Sequence, residues 1–345
     1  MAPRFEPNLA ATGVGSLPHR EARAAVDFVL DTLPEAPFWP QLPALGTGEG
    51  MYHQGADGVP GVQAEGGRLW IERGAASLSQ LQSLSPESEV SQIGSAAGLE
   101  EMLGRDLSAA ALVKGQLVGP VSLGLSLVDQ ERRPILYSEE YAAALAQILS
   151  WRLAWMESRL KAAGKPTLVL VDEPYLTTLG SGFFAYDEVL VRDLLSLCLS
   201  PLTGFRGVHC CGKVDWPVLL DLGVDVLSFD AHQYFASLAL FPESIGRFLE
   251  GGGILAWGIV PTDPAEIQAV TALQLTQRLE GFIQALEKKG LSKERLLVQA
   301  MVTPACGLAS ADVARAERAV GLAARISALM RERHGLDRAA IAQEE

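Results

Sequence analysis

Short apolar runs alternate with longer amphipathic stretches along almost the whole chain. Strands of a parallel sheet are buried on both faces, so they appear in a sequence as continuous Val, Leu and Ile runs. When such runs alternate with helical patterns, they favour a parallel sheet covered by helices. The eight runs are 11–18, 40–45, 111–118, 167–171, 204–208, 224–230, 253–260 and 296–302. The pattern predicts an α/β fold, a single (β/α)8 barrel in one domain over residues 1–345, with an open doubly wound sheet as the alternative.

The segment 46–67 departs from this alternation. It is rich in glycine, has little periodicity and is long for a connection inside a domain. Long connections of this kind often carry function, so we predict an active-site loop here, with Glu49 as a candidate substrate contact. The stretch 264–289, in contrast, is predicted to form one helix between Asp263 and Gly290.

Composition disfavours several classes of function. The chain has 48% apolar residues and a formal net charge of −13, and it contains no long Lys/Arg cluster. Such a chain is a poor partner for nucleic acid or an anionic membrane surface. No apolar run approaches the roughly 18 residues of a membrane span, and residues 1–11 lack the apolar core of a secretory signal. We therefore expect a cytoplasmic enzyme that acts on a small molecule.

The few cysteines indicate free thiols or metal ligands. A chain of this length without a secretory signal does not need a disulfide framework. Cys198 lies in a Leu-rich helical stretch, and a lone cysteine there is expected to pack in the core. Cys210 is expected to point away from its neighbour Cys211, because side chains alternate along an extended chain.

The hexapeptide 207–212, Gly-Val-His-Cys-Cys-Gly, is the strongest chemical signal in the sequence. His209 and Cys211 are two positions apart at the end of an apolar run, so both side chains project to one side of a strand. A zinc site needs three or four ligands. Cys306 follows the last apolar run and supplies a third, since functional residues of such barrels gather at the carboxyl ends of the strands. Asp230, or the substrate, is the candidate for the fourth position.

An open zinc site of this composition suits the activation of a thiol. A free thiol has a pKa of about 8.5, so only a small fraction is thiolate at neutral pH. Coordination to zinc removes the proton and leaves a sulfur nucleophile that can accept a methyl group.

Five short motifs occur at or near the ends of the predicted strands. They are Gly15-Ser16-Leu17-Pro18, Lys114-Gly115 to Gly119-Pro120-Val121, Asp172-Glu173-Pro174, His209-Cys210-Cys211 and Pro304-Ala305-Cys306-Gly307-Leu308. In this order they resemble the catalytic barrel of cobalamin-independent methionine synthase, and the resemblance runs from about residue 11 to residue 310. The chain is similar more broadly to the superfamily of uroporphyrinogen decarboxylase and corrinoid-dependent methyltransferases.

The resemblance implies roles for individual residues. His209, Cys211 and Cys306 correspond to zinc ligands. Gly15, Ser16 and Asp172 match positions that hold the amino-acid part of homocysteine. The family has a glutamate as its remaining ligand, and Asp230 stands at that place here. These roles are implied by the resemblance, and no catalytic residue beyond the metal site is predicted.

The function predicted from these features is a zinc-dependent methyltransferase that methylates a thiol, homocysteine being favoured. The methyl donor is left open between a methylcorrinoid, free or on a corrinoid protein, and methyltetrahydrofolate. The alternatives are methyl transfer to coenzyme M, decarboxylase-like chemistry on a tetrapyrrole, and a barrel that only binds zinc or a corrinoid.

Several candidate substrate contacts have equally simple structural explanations. Asp172 and Glu173 can form a salt bridge or a cap at a strand end. Ser16 can hold its own turn. His232, after the sixth run, is a further candidate contact.

Overall fold

The computed structural model describes residues 5–178, 188–336 and 340–341. The strands in this part of the chain are β1 Phe5–Glu6, β2 Ala10–Ala11, β3 Val62–Glu65, β4 Arg68–Ile71, β5 Val113–Val118, β6 Thr167–Asp172, β7 Phe205–Cys210, β8 Val226–Phe229, β9 Ile254–Val260, β10 Ala300–Pro304 and β11 Ala340–Ile341. The α-helices are α1 Ala22–Thr32, α2 Met51–Ala56, α3 Ala75–Gln82, α4 Ala97–Leu103, α5 Pro120–Ser126, α6 Glu139–Lys161, α7 Glu188–Leu199, α8 Trp216–Leu220, α9 Ala231–Leu238, α10 Pro242–Glu250, α11 Pro264–Ala269, α12 Ala272–Glu287, α13 Lys293–Val298 and α14 Val313–His334.

Seven strands form one parallel, curled sheet in the order β2-β10-β9-β8-β7-β6-β5. Helices pack around it, and the largest apolar cluster of the described residues fills the space between sheet and helices. A second apolar cluster lies on the inner face and includes Leu168, Val226 and Met301. The α/β class and the parallel sheet are therefore confirmed, and the alternation of runs and helices is the reason that they were predictable.

The prediction of eight strands was wrong at the second run. Residues 40–45 make no ladder, and Pro43–Leu45 is a turn of 3-10 helix, because two prolines in this stretch lack the N–H that a ladder needs. The segment 39–41 nevertheless makes backbone hydrogen bonds to β5 at one edge of the sheet and beside β2 at the other. Trp39 N–H donates to the Lys114 carbonyl over 2.8 Å, and Gln41 N–H donates to the Gly15 carbonyl over 3.1 Å.

Three other predicted boundaries differ. The first run, 11–18, forms a strand only at β2 Ala10–Ala11, and Ser16 makes an isolated bridge to Gln41. Part of run 296–302 is helical, since α13 ends at Val298 and β10 begins at Ala300. A short apolar run suits either a helix or a strand, and Ser292 caps α13 by accepting from the Arg295 N–H. The predicted helix 264–289 is divided into α11 and α12, because Thr271 forms a capping box with Gln274 that begins a new helix.

The glycine-rich segment 46–67 has more regular structure than a loop. It contains the 3-10 helix Thr47–Glu49, helix α2 and strand β3, which pairs with β4 as an antiparallel hairpin. Gly55 of α2 lies against β5, where an added Cβ would come within 2.3 Å of Val118 Cγ1. No helix among the described residues is long and apolar enough to cross a membrane.

Candidate metal centre

His209, Cys211 and Cys306 come together at the carboxyl end of the sheet. Their ligand atoms, one nitrogen and two sulfurs, all lie within 4.8 Å of one another. His209 lies on β7 and Cys211 follows this strand directly, whereas Cys306 is two residues past the end of β10. The predicted meeting of these three side chains is what the fold produces, because parallel strands present their carboxyl ends to the same edge.

The imidazole of His209 is buried, with 3% of the residue exposed. Its Nδ1 lies 2.9 Å from Ser228 Oγ. Its Nε2 is also buried, and no hydrogen-bond partner for it exists among the described residues. Since an unsatisfied buried nitrogen costs free energy, a ligand at Nε2 would relieve a penalty that the fold already carries. The nitrogen-and-two-sulfur donor set is one that zinc accepts.

The two thiols of the cluster are unequal. Their mutual interaction lowers the pKa of Cys211 below its ordinary value and, together with burial, raises the pKa of Cys306 against the opposing effect of His209. Both cysteines are partly exposed, whereas Cys198 and Cys210 are fully buried in the main apolar cluster, as predicted. Burial raises the pKa of Cys210 to about 12, so its thiol stays protonated.

Asp230 does not belong to the three-residue cluster. It is the N-cap of α9, and its Oδ1 accepts from the Gln233 N–H over 2.8 Å. His232 is also engaged elsewhere. Its Nε2 lies 3.2 Å from Glu266 Oε2, and its Nδ1 lies 3.3 Å from an Arg278 guanidinium nitrogen.

Asp172 and Glu173 are neighbours in sequence with different surroundings. Asp172 ends β6 directly opposite His209 of β7, and its buried Oδ1 lacks a hydrogen-bond partner within the described ranges. Burial raises the pKa of Asp172 to about 6, against the opposing effects of His209 and Lys114.

Glu173 is fully buried and is occupied by the first turn of α5. Its carboxylate accepts from the Val121 N–H over 2.9 Å, from the Ser122 N–H over 2.8 Å and from the Ser122 hydroxyl over 2.6 Å. Burial raises the pKa of Glu173 to about 7. Of the two carboxyl groups, Asp172 is thus the one with an oxygen left for a ligand.

Gly15 packs against Gln116 of β5, and Ser16 packs against the loop that follows Cys306. A Cβ at Gly15 would come within 2.5 Å of Gln116 Cδ, so this position requires glycine. The Ser16 carbonyl accepts from the Leu308 N–H over 2.9 Å, which ties it to the loop after Cys306. The Ser16 hydroxyl lies close to Gly307, where an added Cβ would be 2.3 Å from it.

Glu49 is buried and holds the start of α4. Its Oε1 accepts from the Ala97 N–H over 2.9 Å, and its Oε2 accepts from the Gln54 amide over 3.4 Å. Desolvation raises its pKa, while the hydrogen bond from Ala97 opposes that rise. These contacts give Glu49 a structural use within the segment 46–67.

Sequence reasoning assigned no role to three polar residues close to the cluster. Ser228 contacts His209, as described above. Lys114 is buried on β5, where its Nζ donates to the Val14 carbonyl over 2.6 Å and to Gln116 Oε1 over 2.9 Å. Burial lowers the pKa of Lys114 to about 8. A lysine inside an apolar strand run is the signal that would have indicated an inward-facing polar position.

Tyr52 of α2 is the third of these residues. Burial raises its pKa to about 12, and the nearby charges of Glu173 and Cys211 act in the same direction. The predicted role of segment 46–67 as an active-site loop stays a prediction. No sequence signal distinguished Tyr52 from other aromatic residues.

Comparison with known proteins adds little to this geometry. No family model matches the chain, and no curated protein matches it. Among solved structures, the chain is similar to a B12-independent methionine synthase from Shewanella sp. W3-18-1, with a TM-score of 0.46 and 18% sequence identity. The match covers 65% of this chain and 64% of that chain. A likeness of this size leaves the function to be argued from the residues of the cluster.

Proposed function

We propose that the protein is a zinc-dependent methyltransferase that transfers a methyl group to the sulfur of a small thiol, homocysteine being the favoured acceptor. The observation that carries the proposal is the cluster of His209, Cys211 and Cys306, whose ligand atoms lie within 4.8 Å of one another. The Nε2 of His209 has no hydrogen-bond partner among the described residues. The ordered motifs that resemble the methionine synthase family support the same reaction class.

The scaffold of this site is proposed to be one barrel domain. The segment around Trp39 and Gln41 bonds to Lys114 on one edge of the seven-stranded sheet and to Gly15 beside the other. In this proposal the segment completes the ring in place of an eighth strand, so that all carboxyl ends surround one cavity. The segment 46–67 borders that cavity through Tyr52.

Three side chains of the cluster would hold the ion in this scheme. His209 offers the Nε2 lone pair, and Cys211 and Cys306 offer thiolates. When bound, zinc would supply the charge that keeps the thiol of the acceptor deprotonated and nucleophilic. In the transfer itself, a sulfur–carbon bond forms on the acceptor as the bond between the methyl group and its donor breaks.

The acceptor would be oriented by residues around the cluster. Asp172 has a buried oxygen with no hydrogen-bond partner in the described part of the chain, which suits the ammonium group of an amino acid. Ser16, in the segment after β2, packs against the loop that follows Cys306 and offers its hydroxyl beside Gly307. The donor is proposed to be a methylcorrinoid, free or protein-bound, or methyltetrahydrofolate.

Metal analysis combined with a transfer assay tests the proposal. The purified protein is expected to hold nearly stoichiometric zinc and to form methionine from homocysteine with one of three donors: methylcobalamin, a methylated corrinoid protein or methyltetrahydrofolate. Cys306→Ser is expected to lose both the zinc and the activity. Cys198→Ala is the matched control, because Cys198 is buried in α7 outside the cluster.

The other outcomes separate the alternatives. Zinc-free protein, or Cys306→Ser that retains its zinc, would overturn the metal site and favour decarboxylase-like chemistry. Zinc-loaded protein that is inactive with homocysteine and all three donors would indicate another thiol acceptor or a binding protein, and coenzyme M as acceptor distinguishes these two.

A further inference from the structure

Ser228 faces His209 because of the register between two strands. Strands β7 and β8 are parallel, and His209 pairs with Ser228 in their ladder. Paired residues of neighbouring strands project to the same face of a sheet. Both residues are buried, with 3% of His209 and 1% of Ser228 exposed. The contact of 2.9 Å between Nδ1 and Oγ is therefore built into the sheet and not into a loop.

This contact determines which ring nitrogen of His209 carries the proton. A neutral imidazole has one N–H and one lone pair. The Ser228 hydroxyl is the partner of Nδ1, whereas the buried Nε2 lacks a partner in the described part of the chain. A proton on Nε2 would leave a buried N–H unsatisfied, which costs free energy. The proton is better placed on Nδ1, where Ser228 Oγ accepts its hydrogen bond.

We infer that Ser228 is a positioning residue of the metal centre. By accepting the Nδ1–H bond, it holds the His209 ring in one tautomer and one orientation, with the Nε2 lone pair directed at Cys211 and Cys306. The outer ring nitrogen of a metal-binding histidine commonly has such a partner, and loss of the partner weakens metal affinity. Only the affinity part of this inference depends on the proposed zinc site, because the tautomer is a property of the metal-free protein.

The tautomer is tested first, on metal-free wild-type protein. Two-bond proton–nitrogen NMR correlations of the histidine rings, at a pH at which the rings are neutral, distinguish the two tautomers. The His209 signals are assigned from their loss in His209→Gln. The expected result is a protonated Nδ1 at His209. A protonated Nε2, or a mixture of the two tautomers, would overturn the inference whether or not the protein binds zinc.

The second measurement compares zinc affinity among three variants by competition with a chromophoric chelator. Ser228→Ala is expected to bind zinc about 10- to 100-fold more weakly, although all three ligands remain. Ser228→Thr keeps the hydroxyl and is expected to restore affinity to within a few-fold of the wild type. Thr276→Val is the control, because it removes a fully buried hydroxyl of α12 that has no hydrogen-bond partner among the residues that the structure describes.

The cobalt-substituted protein gives a readout that a packing role would not change. Ser228→Ala is expected to shift the cobalt absorption bands, since the ring is free to rotate, while Ser228→Thr and Thr276→Val keep the wild-type spectrum. Wild-type affinity and an unchanged spectrum in Ser228→Ala would overturn the inference. If Ser228→Ala does not fold, the NMR measurement decides alone. Failure of the wild type to bind zinc would contradict the proposed function, while the tautomer result stands apart from it.

Discussion

A buried carboxyl group that binds an ammonium ion must be charged, and burial opposes that charge. Asp172, which we propose binds the ammonium group of the acceptor, is buried, and burial raises its pKa from 3.8 to about 6. Between these two values the folded chain retains a proton that the unfolded chain loses. The free energy of unfolding therefore decreases as pH rises through this window, and the loss persists at higher pH. A residue kept at such a cost is expected to have a ligand.

Asp172→Asn is predicted to stabilise the metal-free protein at pH 8, because asparagine cannot ionise. The expected gain is on the order of 2 kcal/mol, and it should shrink as the pH is lowered below about 6. The same variant should have a higher KM for homocysteine. Urea unfolding at several pH values measures the first effect, and steady-state kinetics the second.

Glu173→Gln is the matched comparison for this prediction. Burial also raises the pKa of Glu173, but its oxygens accept three hydrogen bonds from Val121 and Ser122. An amide cannot accept all of them, so this variant should lose stability at pH 8. The argument would be wrong if Asp172→Asn also lost stability at pH 8.

At the scale of single elements, close packing between strands β8 and β9 places the loop that carries Cys306. Gly258 of β9 lies where two backbone segments meet. A Cβ there would be 2.4 Å from the Phe229 carbonyl oxygen and 2.8 Å from Ala305 Cα. Backbone atoms on both sides cannot rotate away, so any side chain at this position must move a strand.

Gly258→Ala is therefore predicted to destabilise the protein by about 1–3 kcal/mol and to weaken zinc binding, because the residue next to Cys306 is displaced. Gly281→Ala is the control: Gly281 is an exposed residue of helix α12, and its added Cβ would meet nothing within 4 Å. Alanine there should raise stability by about 0.5–1 kcal/mol. Equal urea midpoints for the two variants would contradict the packing argument.

Across the whole molecule, the last long helix holds the beginning of the described chain. Arg331 of α14 donates to the Asn8 carbonyl over 2.6 Å and to the Pro7 carbonyl over 3.1 Å, and it lies 2.8 Å from the Glu35 carboxylate. Asn8 and Leu9 both have positive φ, at 47° and 63°, a backbone conformation that is unfavourable for most residues other than glycine. The arginine thus stabilises a strained turn that leads into β2, beside β10.

Arg331→Met is predicted to cost about 2 kcal/mol or more, because three acceptors lose one partly buried donor group. Arg333→Met provides the comparison on the same helix, since Arg333 has a single ion pair with Glu280 at 2.7 Å. A pair of that kind contributes less than about 1 kcal/mol. Thermal and urea unfolding of both variants measure the difference, and a smaller loss for Arg331→Met than for Arg333→Met would rule out this role.

The sequence by itself determined the features that depend on local periodicity. Continuous apolar runs between helices predicted the parallel sheet, and the two-residue spacing predicted that His209 and Cys211 share a face while Cys210 packs outward. Cys306 follows the last run, and parallel strands all end at the same edge of a sheet, so the meeting of Cys306 with His209 and Cys211 could be predicted. These inferences succeeded because strand geometry is the same wherever a strand lies.

The tertiary structure alone decided how the buried polar groups are used. Asp230 caps α9, Glu173 holds α5 and Glu49 holds α4. In contrast, Asp172 has an oxygen with no hydrogen-bond partner within the described ranges, and Ser228 contacts His209. A polar side chain at a strand end looks the same in the sequence whether it will cap a helix or bind a ligand. Its partner comes from an element distant in the chain, and a buried polar group is satisfied by whatever lies within hydrogen-bonding distance.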